Sequence, residues 1–181
     1  MTKLPPELEA ALLVLVLVAA IYDLRYRRIP NWLSVAGLIC GIALNVRLLH
    51  WAGLRPAGLG LALAFAVYLP LFALRAMGGG DLKLMAAVGA IVGPSNWFVI
   101  FILTALFGGA LALALLIIRG GLVRALRSVL TILVELAHFR APHRIDAALD
   151  VAHPRAVTLP HAISICFGSL AFLCLSHLRT G

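Results

Sequence analysis

The sequence predicts an all-α polytopic membrane protein: about six transmembrane helices plus an amphipathic helix on the cytoplasmic side, in one integral membrane domain over residues 1–181. Three observations predict it. Of 181 residues, 63% are hydrophobic and only 12% charged, against roughly 45–50% apolar in average usage. The apolar residues fall into long runs punctuated by glycine, proline and charge. The basic residues, which give a formal net charge of +8, lie between those runs and not in one tract. Cytoplasmic loops facing anionic lipid produce that distribution, and no nucleic-acid partner is expected. Cys40, Cys166 and Cys174 sit inside apolar runs without a Cys-x-x-Cys spacing, so they read as small buried hydrophobes.

Pro5-Pro6 opens a first helix over residues 8–22. Its flank carries Glu7 and Glu9 against Lys3, the wrong charge for a signal peptide, so a retained span ending near Asp23 is expected. Pro30 discourages helix at Ile29, and Asn31 is placed to cap a second span at about 32–49. The third span is about 57–74, where Gly58 and Gly60 permit close helix approach. After Gly78-Gly79-Gly80 comes a short apolar segment, 82–92, stopped by Gly93-Pro94-Ser95. Residues 96–118 make a full span, and about 158–177 the last. Residues 119–157 are the only long polar connection. Within it, residues 122–139 put Arg124, Arg127, Ser128, Thr131, Glu135 and His138 on one face of a helix suited to the headgroup region.

With the N-terminus outside, alternate loops place eleven of the fifteen Lys and Arg residues on the inner side, as the positive-inside rule requires. Both termini then lie outside, and Asp23 and Asp81 fall toward the same cytoplasmic side. Twelve residues separate Asp81 from Gly93, about 18 Å of helix, against a hydrocarbon core of about 30 Å. Asp81 is therefore expected below the cytoplasmic boundary, behind glycines forming irregular backbone that lines a cavity.

Seven acids occur in the chain. Glu7 and Glu9 are N-terminal, and Glu135, Asp146 and Asp150 lie in the long loop among arginines. Asp23 and Asp81 remain, each at the inner end of a span. A carboxylate at the bilayer centre costs roughly 2.5–3.5 kcal/mol on insertion scales, so each is a candidate site residue. Two such acids that meet would share a proton: the ionised one takes a proton from water and the protonated one polarises a carbonyl. That is peptide hydrolysis without a metal or a covalent intermediate. Asp23 closes a helix and Asp81 opens one, so the helix dipoles assign Asp81 as base and Asp23 as acid. Plainer readings compete: Asp23 in an interfacial ion pair with Arg25, Arg27 or Arg28, and Asp81 as a helix N-cap. A cap does not need three preceding glycines, which allow positive φ and close approach to another chain. Lys83, two residues after Asp81, reads as a headgroup anchor.

Gly78-Gly79-Gly80-Asp81 fits the G-x-G-D motif of intramembrane aspartyl proteases. With Leu82-Lys83-Leu84 after it, and Asp23 and Arg28-Ile29-Pro30-Asn31 before it, the acids standing 58 positions apart, the chain resembles the type IV prepilin peptidase family. It resembles the short form that lacks a cytosolic zinc domain, as in tight-adherence (Flp-type) pilus systems. Pro160-His161-Ala162-Ile163 is similar to a Pro-aromatic-Ala segment of short members. The resemblance implies an aspartyl endopeptidase, a hydrolase of the bacterial inner membrane that removes the basic leader of prepilin or pseudopilin precursors alongside pilus or secretion assembly machinery. It implies Asp23 and Asp81 as the catalytic pair, with Gly78, Gly79, Gly80, Lys83, Pro30 and Asn31 binding substrate or shaping the site. Larger members insert a Cys-x-x-Cys domain, and many methylate the new terminus with S-adenosylmethionine. Here the first inner loop is a few residues long and has no cysteine. No metal or cofactor is expected, and S-adenosylmethionine-dependent methylation is left unsupported. His161 stands where tyrosine is frequent and reads as a satisfied interfacial histidine. Two readings from other classes stay open: a small ion- or proton-coupled transporter using the acids as a cation site, and a non-catalytic assembly subunit.

Overall fold

The computed structural model describes residues 3–74, 77–118 and 161–179. They form α1 (Pro6–Tyr26), α2 (Asn31–Leu49), α3 (Leu54–Ala73), α4 (Gly79–Ile118) and α5 (His161–Leu178), with a 3-10 turn, His50–Gly53, between α2 and α3. No strand occurs among the described residues. The expected amphipathic helix at 122–139, and the connection at 119–157 that contains it, lie outside them.

The centre of the bundle follows from one apolar run. From Leu84 to Val92 every residue is buried, which is how a helix that is hydrophobic all round must sit. Gly93 then breaks α4 at φ 74°, ψ 173°, a region open to glycine alone. The break reverses the chain. The indole N–H of Trp97 donates to the carbonyl of Met85 at 3.0 Å, whereas twelve residues of straight helix would separate these positions by about 18 Å. α4 is thus two antiparallel arms, residues 79–92 and 94–118. The reversal leaves the last carbonyls of the first arm without helical partners. The buried amide of Asn45 on α2 supplies them, donating to Ala90 O at 3.0 Å and Ile91 O at 3.1 Å.

Cross-contacts fix the direction of every helix. At one end lie Asp23, Ile29, Asn31, Phe72, Gly80, Gly108 and His161, joined by contacts between α1 and α5, α1–α2 and α4, α3 and α4, and α4 and α5. At the other lie Glu9 and His177, 3.1 Å apart, together with Asn45, Gly53 and Gly93. The chain therefore runs to and fro between a site end and an opposite end, as the alternation of spans predicts. Among the described residues three stretches, Asn31–Ala73, Gly79–Leu115 and His161–Leu178, are long and apolar enough to cross a membrane, against the about six crossings expected. Two of them contain a break, at the 3-10 turn and at Gly93. α1 is not among them because Glu7, Glu9, Asp23 and Arg25 all fall within it.

Local boundaries differ from expectation in three places. α1 runs to Tyr26 and ends on Arg27 in the left-handed region, whose N–H bonds Asp23 O at 2.9 Å, so Asp23 is in the last turn and not at the helix end. Asn31 is the first residue of α2 and makes no capping bond; Pro30 takes the N-cap position. Of the cysteines only Cys166 is buried, while Cys40 and Cys174 face outward.

α3 and the first arm of α4 cross where both are glycine. A methyl group built on Gly60 would collide with the carbonyl of Gly89, and one on Gly89 with the carbonyl of Gly60. Two residues earlier, on the opposite face of α3, Gly58 has open space. Gly60→Ala should lower stability by about 1–3 kcal/mol through overpacking, read as a lower unfolding midpoint in detergent, and Gly58→Ala should leave that midpoint unchanged. Equal midpoints for the two variants would show that the glycine crossing does not hold α3 in place.

Candidate active site

Asp23 is only 8% exposed. Its carboxylate Oδ2 accepts the backbone N–H of Ala162 at 3.1 Å. Ala162 is the second residue of α5, so its amide is one of the first-turn donors left free by helix geometry, at the positive end of the helix dipole. A buried carboxylate needs such a partner. The arginine pairing weighed for Asp23 is not what holds it: Arg27 acts on the carboxylate through space, as does His161.

Asp81 opens the first arm of α4, in its first turn. It is half-buried, and it lies within the electrostatic field of Asp23. The buried Tyr68 of α3 is coupled to Asp81 in turn. Tyr68 is held by ring contacts with Trp97 at 6.1 Å and Phe101 at 5.8 Å, so the second arm of α4 braces the wall behind the acid. Asp23 faces the N-terminus of α5 and Asp81 that of α4. Helix ends alone therefore do not distinguish the two as base and acid.

The glycine run works differently from expectation. Gly79 and Gly80 are helical, and Gly93 is the one glycine with positive φ among the described residues. The run supplies room rather than unusual backbone. A Cβ on Gly79 would stand 3.2 Å from the Phe72 ring, one on Gly80 3.2 Å from Cβ of Ile29, and one on Gly78 3.4 Å from Oδ2 of Asp81. Gly80 thus lets the α1–α2 turn lie against the start of α4. Lys83 completes that junction: its Nζ donates to Oδ1 of Asn31 at 2.9 Å. Lys83 and Asn31, expected as anchor and cap, are bonded to each other across 52 positions. Pro30, half-buried between Ile29 and Asn31, fixes the turn that presents both.

Asp23, Asp81, the three glycines, Pro30, Asn31 and Lys83 therefore gather at one end of the bundle. Sequence reasoning missed the Ala162 amide, Tyr68 and Phe72. The Pro-aromatic-Ala segment was a visible pointer to the first. Among the described residues no group of three or more His, Cys, Asp or Glu is placed to hold a metal ion.

The profile of the type IV leader peptidase family matches residues 10–113, more than half of the chain, including both acids, the glycine run and the turn at Ile29-Pro30-Asn31. The chain belongs to the type IV leader peptidase family. No curated protein and no solved structure matches it. Membership supports a protease, a hydrolase, and its apolar helices agree with a membrane protein. α5 lies beyond the matched residues, yet it is the helix that partners Asp23 in this leader peptidase family member.

Asp23 thus has a structural role beside any chemical one. Asp23→Asn keeps a side-chain oxygen to accept the Ala162 N–H and should fold normally. Asp23→Leu leaves that amide buried without a partner and should lose about 1–3 kcal/mol. Unfolding midpoints in detergent for the two variants check this; a Leu variant as stable as the Asn variant would deny Asp23 the role of α5 acceptor.

Proposed function

We propose that the chain is an aspartyl endopeptidase that cuts the basic leader from prepilin or pseudopilin precursors at the cytoplasmic face of the membrane, using a water activated between Asp23 and Asp81. The observation that carries the reading is the placing of both acids at one end of the bundle, with Asp81 in the field of Asp23. Family membership gives the reaction class. Two carboxylates in a poorly solvated site share one proton. The ionised carboxylate removes a proton from water as its oxygen adds to the scissile carbonyl carbon, while the protonated partner donates to the carbonyl oxygen. Collapse of that adduct breaks the C–N bond, and a proton passes to the leaving amine.

Several features support the cytoplasmic side. Arg25, Arg27, Arg28 and Lys83 belong to the site end, next to the acids and their junction, and that enrichment is what cytoplasmic ends carry. A leader retained in the cytoplasm would reach the acids from that end. The missing side chain at Gly78 leaves the flank of Asp81 open to a peptide backbone. A transporter reading would put its binding groups at the break of a discontinuous helix near mid-membrane. The break in α4 is at Gly93, about 18 Å of helix from Asp81, so the broken helix does not favour it.

Incubating the purified protein with a prepilin peptide should give a single cut beside the leader glycine. Asp23→Asn and Asp81→Asn should each reduce that cleavage by about 100-fold or more with normal insertion and folding. Near-normal cleavage by either variant would overturn the assignment.

A further inference from the structure

Asp81 sits in the least secured part of α4. From Leu84 to Val92 the arm is buried, and packing fixes it. The turn before Leu84 opens with Gly79 and Gly80, which have no side chains to pack and are poor helix formers. Its opening hydrogen bond, from the Leu82 N–H to the Gly78 carbonyl, is long at 3.5 Å, against a usual length of about 2.9–3.0 Å. The α1–α2 turn opposite is the stiffer partner. It is closed by the Arg27 N–H on the Asp23 carbonyl at 2.9 Å, and Pro30 fixes its φ. Two contacts join the loose turn to the stiff one. A Cβ on Gly80 would stand 3.2 Å from Cβ of Ile29, and Lys83 Nζ donates to Asn31 Oδ1 at 2.9 Å. Gly80 and Lys83 are three positions apart, so they share one face of the helix. Asp81 is one position on from Gly80, about 100° round the axis. Any twist of this first turn that carried Asp81 away from Asp23 would therefore also part Lys83 from Asn31.

We infer that Lys83 and Asn31 are positioning residues for Asp81: their bond sets the rotation of the first turn of α4 and so the placement of Asp81 against Asp23 during leader cleavage. Lys83 acts through this bond and not by touching the leader, whose basic residues an ammonium repels. Nor is it only a headgroup anchor, since an anchor needs the bilayer and has no use for Asn31. Gly80 serves the same lock by letting Ile29 close on the helix one turn before Lys83.

The activity arm of the test rests on the leader-peptidase reading; a second arm does not. Cleavage of a prepilin peptide is measured for the wild type, Lys83→Met, Asn31→Leu, the double variant and Lys83→Arg. Met keeps the stem of Lys83 without its donor, and Leu removes the acceptor. Each single variant should lower kcat by about 10-fold, as expected for a misplaced catalytic group, with KM unchanged. The double variant should be no slower than either single one, and Lys83→Arg, which keeps a donor, should restore most of the rate. A raised KM in Lys83→Met alone would mean contact with the leader, and a normal rate in Asn31→Leu would mean a headgroup anchor; either overturns the inference. In the second arm, amide hydrogen exchange of the substrate-free protein in lipid nanodiscs is followed along the first arm of α4. Exchange at positions 82 and 83 should quicken in both single variants, with positions 86–92 unchanged. Unaltered exchange at 82 and 83, or lost protection along the whole arm, would overturn the inference even if no prepilin peptide were cut. Absent cleavage with exchange quickened only at 82 and 83 would overturn only the leader-peptidase reading.

Discussion

One backbone conformation, Gly93 at φ 74°, ψ 173°, governs the arrangement of the bundle. It turns α4 back on itself and makes the first arm too short to cross a bilayer as a straight helix. The arm that results is buried from Leu84 to Val92 and carries Asp81 at its far end. The reversal also exposes carbonyls inside an apolar bundle, where an unpaired polar group is expensive. Asn45 answers that need from α2, while Trp97 of the second arm bonds back to Met85 in the interior of the first. The hydrogen bonds that hold the opposite end together thus follow from the same turn that sets the depth of the acid.

The site end is assembled by close approach. Glycines at 78, 79 and 80 are not needed for their φ angles; at 79 and 80 they keep side chains clear of Phe72 and Ile29, and at 78 they leave the flank of the Asp81 carboxylate open. The Lys83–Asn31 bond spans the same junction from the outside. Asp81 is held by its place in α4, and Asp23 by the Ala162 amide in the first turn of α5. Two acids from different helices are thus brought together without either depending on the other for its fixed position.

The fold class and both acids were legible because a carboxylate stands out in an apolar run, and because a bilayer limits what a long apolar sequence can become. The glycines were legible as a feature, but their use was not. Sequence says that glycine permits positive φ and permits contact, and it does not say which is needed; Gly93 uses the first and Gly80 the second. The Ala162 donor was unreadable in principle, since every residue but proline has an amide and only the packing of α5 on α1 gives this one a target. The Lys83–Asn31 bond was hidden for the same reason. Asn45 differs: a single amide side chain in an apolar helix is a readable request for a partner, though not for these particular carbonyls.

The bond from Ala162 to Asp23 has a consequence for how such a chain can change over generations. On the proposed function, position 23 answers to two demands, chemistry and the closure of α5, while position 81 answers to the chemical one. A descendant that lost its catalytic duty but kept its architecture would retain an oxygen-bearing side chain at 23 and let 81 drift. Within such a lineage, the more persistent of the two acids would be the one that marks ancestry rather than activity.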